Sequence, residues 1–440
     1  MRKKKVLIIS YYWPPAGGIS VLRSLKIAKY LSDYNWEPVV YTLANPNYPM
    51  TDDSNFRHIP KDLVVLRKSG MDFLNLYKNM TGRKKKDPLF DVLNTHDKKP
   101  TLLHHLAVWI RSNFFIPDAR YLWINPSVKF LLDYLKSNAV DAIFSDGPPH
   151  TNTRIACLIS QKTGIPWLAD FQDPWTQVDY YQLLYLTKWA DKIHRKQEEE
   201  AFRQASKITI VSKTWKKDLE SIGAKNVSVI PWGYDDDDFT DITYQSTHTF
   251  MICHIGLLGK DRLPETFIKA VAELCRENDL FRSHLDLRFI GAVDFSLKEI
   301  VKKENIAEHI SFIEQISRAD VLKLTASSQI QLLLLNKATN ALGRVPGKLF
   351  EYLRAKRMII CLGPSGSDVE QIIDDTQSGI SIEYEDLPAI KFHLLKAFDQ
   401  YIKNGSTYID QVNLEKYSIK KLTGEIAGFL NEITDKNAKK

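Results

Sequence analysis

The chain has 440 residues, 44% hydrophobic and 26% charged, with a formal net charge of +7. The composition is that of an ordinary globular chain with ample core, the length predicts about two to three domains, and no apolar run reaches the ~18 residues that would span a membrane. The charge is uneven: the first 120 residues hold 20 Lys/Arg against 10 Asp/Glu. Such a basic region suits anionic lipid or a phosphorylated substrate. Nucleic acid is not expected as a partner, because no recognition motif interleaves aromatics with these basic residues.

The start, Met1-Arg2-Lys3-Lys4-Lys5 followed by the apolar run 6–10, reads as a first β-strand. A secretory leader is not expected, since the apolar part is short and no small-residue cleavage site follows it. Further strands are predicted at 38–42, 63–66, 142–145, 167–171, 208–211 and 227–230. A second series follows at 251–255, 285–290, 310–313, 330–335, 358–362 and 380–382. These runs are β-branched and lack alternation, as strands buried on both faces do. Helices are predicted between them, at 18–34, 151–163, 183–205, 264–276 and 348–355 among others. Strand–helix–strand repetition implies parallel sheets with right-handed crossovers. The polar stretch from Pro231 to His248 separates the two series. The expected domains are 1–235 and 236–414, with a last helix in about 415–440. The segment 71–100, with Arg83-Lys84-Lys85-Lys86, is expected to be a loop. Cys157, Cys253, Cys275 and Cys361 are scattered through apolar segments without metal or disulfide spacing, so a cytoplasmic location is expected.

Open parallel sheets bind ligands at the carboxyl ends of their strands, and the chemistry-bearing residues fall there. After the first strand, Gly17 and Gly18 allow close backbone approach at a helix start. The spacing is not the Gly-x-Gly-x-x-Gly fingerprint, which counts against a nicotinamide or flavin enzyme. After 142–145 comes Asp146-Gly147-Pro148-Pro149-His150, where His150 is placed to polarise a substrate hydroxyl or act as a base. After 167–171, Asp170 and Asp173 stand close together. Paired carboxylates suit glycoside chemistry, but either acid can equally tie down its loop through backbone N–H groups. In the second series, Gly256, Gly259, Lys260 and Arg262 follow the strand 251–255 and suit a phosphate. Lys337 ends the strand 330–335. The stretch Pro346-Gly347-Lys348-Leu349-Phe350-Glu351 then opens a helix with a glycine, a cation and a carboxylate, and helix N-termini hold anions.

Together these residues resemble the GT-B fold glycosyltransferases of the family 4 type, which use nucleotide-sugar donors. The resemblance covers nearly the whole chain. It rests on Gly17-Gly18, Phe115-Ile116-Pro117-Asp118 with Trp123, and Pro148-Pro149-His150. It rests also on Asp170-Phe171-Gln172-Asp173-Pro174-Trp175, on Gly256 through Arg262, and on Pro346 through Tyr352. It implies an α/β GT-B architecture, two facing doubly wound Rossmann-like domains with a cleft between them, and a last helix that crosses back onto the first. It implies that Glu351 binds the donor ribose, and that Arg262 with Lys337 or Lys348 neutralises the diphosphate. Gly17-Gly18 and Gly256 would approach the donor. His150 and Asp173 would serve the reacting centre. No metal or other cofactor is implied, the co-substrate being a UDP- or GDP-sugar and the acceptor a glycan or lipid-linked glycan. Two departures bear on the donor: Gly343 stands where the family often has an upstream glutamate, and Gln172 where an arginine is common. A sugar-nucleotide epimerase and a non-catalytic GT-B binder remain the alternatives. The segment 102–116, with His104, His105, Trp109, Arg111, Phe114 and Phe115, is expected to touch an anionic membrane surface at the inner face of the plasma membrane.

Overall fold

A computed structural model describes residues 2–70, 102–242, 248–314, 316–338 and 340–437. They form two compact units. The first holds the described residues up to Pro231 together with the helix Ile419–Asn437; the second is Trp232–Ser418.

The first unit is built on seven parallel strands: β1 (Lys4–Ile9), β2 (Trp36–Leu43), β3 (Val64–Lys68), β4 (Ala142–Gly147), β5 (Trp167–Phe171), β6 (Lys207–Ile210) and β7 (Val227–Val229). Their order is β3-β2-β1-β4-β5-β6-β7. β1 is central, with Val6 paired to Pro38 on one side and to Ala142 on the other. Val6, Leu7, Ile8 and Ile9 are all fully buried, because helices cover both faces of the sheet. One of those helices is the last in the chain. Ile419, Leu422, Ile426, Leu430 and Ile433, spaced for one helical face, join the core of Val6, Ile8, Leu25 and Ile27. Gly424 permits this packing: a Cβ there would stand 2.8 Å from the Tyr34 ring. Lys4 Nζ adds a 2.8 Å hydrogen bond to Thr434.

The second unit has six parallel strands: β8 (Phe250–Ile255), β9 (Leu285–Ile290), β10 (Ile310–Ile313), β11 (Ile330–Leu334), β12 (Met358–Leu362) and β13 (Gly379–Ile382), in the order β10-β9-β8-β11-β12-β13. Every strand expected from the apolar runs is present. Both sheets reverse strand order beside their first strand, between β1 and β4 and between β8 and β11. In such sheets the crevice outside those strand ends is where ligands bind.

One helix differs from expectation. Instead of a continuous helix over 183–205, a 3-10 turn Asp179–Leu184 is followed by a left-handed Tyr185 and then the helix Lys188–Gln204. Capping decides the start. Thr187 accepts the Ala190 N–H through its hydroxyl, while Asn113 accepts the Thr187 N–H at 2.7 Å. The predicted loop 71–100, with its basic run, lies outside the described residues. No helix among the described residues is long and apolar enough to cross a membrane.

Candidate functional site

In the second unit the switch point brings four of the expected residues together: Gly256, Arg262, Lys348 and Glu351. Gly256 ends β8 at φ +113° and sends its N–H to Ile290 O at 2.8 Å. Gly291, ending β9, has the same φ, and a Cβ on it would stand 2.9 Å from Gly256 O. The two strand-end loops therefore meet backbone to backbone, which only glycines permit. Lys348 opens the helix Lys348–Ala355 and donates to Ile255 O at 2.7 Å. A Cβ on Gly256 would stand 3.3 Å from that ammonium. Glu351, three residues on, shares the helix face of Lys348. Burial first and the neighbouring Arg262 charge second push the Lys348 ammonium down to about 7, with Glu351 opposing them. Arg262 closes the 3-10 turn Lys260–Arg262 with its side chain largely covered, paired to Asp261 at 3.0 Å.

Lys337 is placed differently. Its backbone N–H bonds Asp261 O at 3.0 Å, tying its loop to that of Arg262. Its ammonium turns to Glu385 at 3.1 Å and lies 4.4 Å over the Tyr384 ring. Gly343 is buried at the end of the 3-10 turn Ala341–Gly343, so this position supplies no carboxylate.

Glu351 carries a contact that the sequence reading missed. Arg318 Nη1 donates to its Oε1 at 2.7 Å, while Arg318 Nη2 donates to Asp238 at 2.9 Å. Burial is the largest single effect and lowers the guanidinium, but the two carboxylates together outweigh it and raise it above its already high range. A signal was present in the sequence. Arg318 follows the capping Ser317 and opens the helix Arg318–Ser327, where a cation meets the positive end of the dipole. Such a placement needs anionic partners from elsewhere.

In the first unit, Gly18 sits at φ +81° before the helix Ile19–Tyr30. Gly17 gives its N–H to Met50 O at 2.9 Å, and a Cβ there would stand 3.0 Å from Met50 Cγ. Gly17 thus serves packing against residues 50–52 and does not offer its N–H to a ligand. His150 opens the helix His150–Thr163, which Asp118 caps by accepting the Thr151 N–H at 2.8 Å and the Thr151 hydroxyl at 2.9 Å. The His150 ring stacks on Trp175 with centroids 4.4 Å apart and planes 2° from parallel. It is 7% exposed, and neither ring nitrogen has a hydrogen-bond partner among the described residues. Burial first and the His194 charge second push it down to about 3. The imidazole is therefore neutral, suited to hydrogen-bonding a hydroxyl and poorly suited to general-base work.

The two aspartates separate in role. Asp170 takes Arg23 in a two-point ion pair at 2.6 and 2.8 Å and accepts Thr209 Oγ1 at 2.6 Å, with Arg23 and Asp170 side chains fully buried. It is a structural anion, so the pair lacks the two available carboxylates that glycoside hydrolysis uses. Asp173 is half-buried on the following loop. That loop is held by the helix Lys188–Gln204: Trp175 Nε1 donates to His194 at 3.1 Å, and Thr176 donates to Glu198 at 2.6 Å through its hydroxyl.

The chain is similar over its length to solved structures. Against the α,α-trehalose-phosphate synthase (UDP-forming) of Burkholderia vietnamiensis the TM-score is 0.60 at 10% identity, covering 99% of this chain and 100% of the other. Against WaaG, a glycosyltransferase involved in lipopolysaccharide biosynthesis, it is 0.51 at 14% identity, covering 98% of each. Against a putative UDP-N-acetylglucosamine 2-epimerase of Listeria monocytogenes it is 0.56 at 12% identity, covering 99% and 97%. Residues 91–238 match the model of Glycosyltransferase Family 4. The chain has the GT-B fold of these structures. No match was found among curated protein sequences. The family match lies mostly on the first unit, runs on to Asp238 in the second, and takes in Asp118, His150, Asp173 and Trp175. The cation cluster of Arg262 and Lys348 lies outside the matched residues and rests on its own geometry.

Proposed function

We propose that the chain is a glycosyltransferase that moves a sugar from a nucleotide-diphosphate donor, a UDP- or GDP-sugar, to a hydroxyl of a glycan or lipid-linked acceptor in cell-surface polysaccharide synthesis, with retention of anomeric configuration. The observation that carries the donor reading is the grouping of Arg262, Lys348 and Glu351 at the β8/β11 switch point. Breaking a sugar–phosphate bond builds negative charge on the departing diphosphate. Arg262, Lys348 and the N–H groups at the start of the helix Lys348–Ala355 supply fixed positive counter-charge, the part a divalent metal plays in other transferases. Glu351 offers an acceptor oxygen for ribose hydroxyls. His150, a neutral imidazole with both nitrogens unpartnered among the described residues, is suited to holding a sugar hydroxyl. A thermal-shift panel of nucleoside diphosphates and nucleotide sugars tests this reading, since a ligand of the folded state raises the melting temperature according to its affinity. No shift with any uridine or guanosine diphosphate would overturn it.

An epimerase reading draws on the UDP-N-acetylglucosamine 2-epimerase among the similar structures, and a non-catalytic reading on Gly343. Conversion of a nucleotide sugar with no acceptor present would favour the first. Binding of donor with no transfer to any acceptor would favour the second.

The acceptor side is proposed to work at an anionic membrane surface on the cytoplasmic side. On the helix Leu102–Phe114, Leu106, Trp109, Ile110 and Phe114 are exposed, and Tyr185 stands exposed beside them, its ring 5.9 Å from that of His105. Exposed aromatic and aliphatic groups near basic residues suit shallow insertion among acidic headgroups. Co-sedimentation with vesicles of anionic lipid at low salt tests it, and absence of binding would remove it.

A further inference from the structure

We propose that Arg318 is a positioning residue that gives the donor site its preference for ribose over deoxyribose. The inference rests on the reading that Glu351 receives the ribose, and it names the group that makes Glu351 selective. Arg318 engages Oε1 of Glu351 at 2.7 Å with one nitrogen and Asp238 at 2.9 Å with another. Oε2 accepts no hydrogen bond from the described residues, and the Glu351 side chain is 11% exposed. One carboxylate oxygen is thus held by Arg318, and the other is not engaged by the described residues.

The consequence is geometric. An unrestrained glutamate side chain has three rotatable bonds, and holding it still for a ligand costs rotamer entropy. The Arg318 fork removes that freedom beforehand, so the free oxygen stands ready for a hydroxyl pair. Asp238, with its side chain 2% exposed, holds the other arm of the guanidinium. A site that hydrogen-bonds a hydroxyl discriminates strongly against the analogue lacking it, because the buried acceptor is then left unpaired. That penalty applies only if Glu351 cannot rotate away to find water. Arg318 prevents the rotation.

The placement of Arg318 has no local benefit. At the first turn of its helix the cation opposes the dipole. The two long-range carboxylates, from Asp238 before the second sheet and Glu351 beyond β11, offset that cost and bring three segments of the unit to one point.

The test is calorimetric titration of the full chain with UDP, 2′-deoxy-UDP, GDP and 2′-deoxy-GDP, following the base that binds more tightly. The wild type is expected to favour the ribo form by about ten-fold, the scale of one charge-assisted hydrogen bond. In R318Q that ratio is expected to fall to roughly one, with E351Q falling as far and R318Q/E351Q no further, the non-additivity of two residues acting through one contact. R318K, which keeps the charge but not the two-armed fork, is expected to fall between, and it carries the test should R318Q fail to fold. If R318Q or R318K keeps the wild-type ratio while E351Q loses it, Arg318 is merely structural and the inference fails with the ribose reading intact. If the wild type binds both forms equally, the ribose reading itself fails and the inference with it.

Discussion

The ammonium of Lys348 lies 2.7 Å from the main-chain oxygen of Ile255, at the end of β8. The contact places a cation where a strand has just ended and a helix begins. Burial, helped by Arg262, lowers this lysine to about 7. An arriving diphosphate favours its charged form and raises it again. Between those two values the bound state holds more protons than the free state, so affinity falls as pH rises. Affinity for a nucleotide sugar is therefore expected to weaken progressively between about pH 7 and pH 9. K348M is expected to bind more weakly and with little pH dependence over the same range. A wild-type profile as flat as that of the variant would remove Lys348 from the phosphate site.

Arg262 and Glu351 are expected to divide binding and chemistry. Arg262→Ala removes counter-charge from the leaving group, and the loss of one such preorganised group costs turnover about 10²–10³-fold. Glu351→Ala acts on donor recognition and is expected to raise the donor KM more than it lowers kcat. Steady-state kinetics, with melting temperatures to verify folding, separate these outcomes. Near wild-type turnover in both variants would sink the site assignment.

The architecture was legible because each buried strand announces itself as an apolar run, from 6–10 to 380–382, with a polar turn on either side. Gly256, Arg262, Lys348 and Glu351 were legible because loop glycines and helix-start cations follow those runs at short spacing. Long-range pairings were not. Nothing near Glu351 in the chain announces Arg318 or Asp238, and nothing near Asp170 announces Arg23. Such partners are brought together by the sheet order, which a local pattern does not encode. The helix start at Lys188 was missed because an apolar and aromatic pattern continues through the 3-10 turn Asp179–Leu184, and only the Thr187 cap breaks it. Gly17 looked like a ligand-facing glycine, but its partner Met50 comes from beyond β2.

Asp146 gives stability its own pH dependence. The carboxylate is buried at the end of β4, where Ser10 Oγ donates to Oδ2 at 2.8 Å, Ser24 Oγ to Oδ2 at 2.5 Å and Asn152 Nδ2 to Oδ1 at 2.7 Å. Burial outweighs these donors and raises it from 3.8 to about 7. The folded state therefore binds more protons than the unfolded chain between those values, and stability from this group falls as pH rises across them. In D146N the penalty disappears, provided the new amide finds an acceptor. Asn152 supplies one, since its Oδ1 has no partner among the described residues and a flip of its amide presents it. Melting curves are expected to place D146N above wild type near pH 8 and to narrow the gap toward about pH 5. A gap that widens on acidification would contradict this account.

Breaking the Arg23–Asp170 pair is expected to destabilise the first unit more than any change at the donor residues. Both side chains are fully buried, and the pair is fixed on every side: Thr209 donates to Asp170, while Arg23 also donates to Ile230 O at 3.0 Å and Pro231 O at 2.9 Å. A single truncation leaves one charge buried without its partner, which typically costs about 3–5 kcal/mol. R23M strands the Asp170 carboxylate and frees two carbonyls at the end of the unit; D170N strands the guanidinium. The double variant R23M/D170N leaves neither charge, so its loss should be smaller than the sum of the two single losses. Apparent melting temperatures of the four proteins measure the coupling. Additive losses would mean that the two residues contribute independently, and the pair would then not be the clamp that ties β5, β6 and the helix Ile19–Tyr30 together.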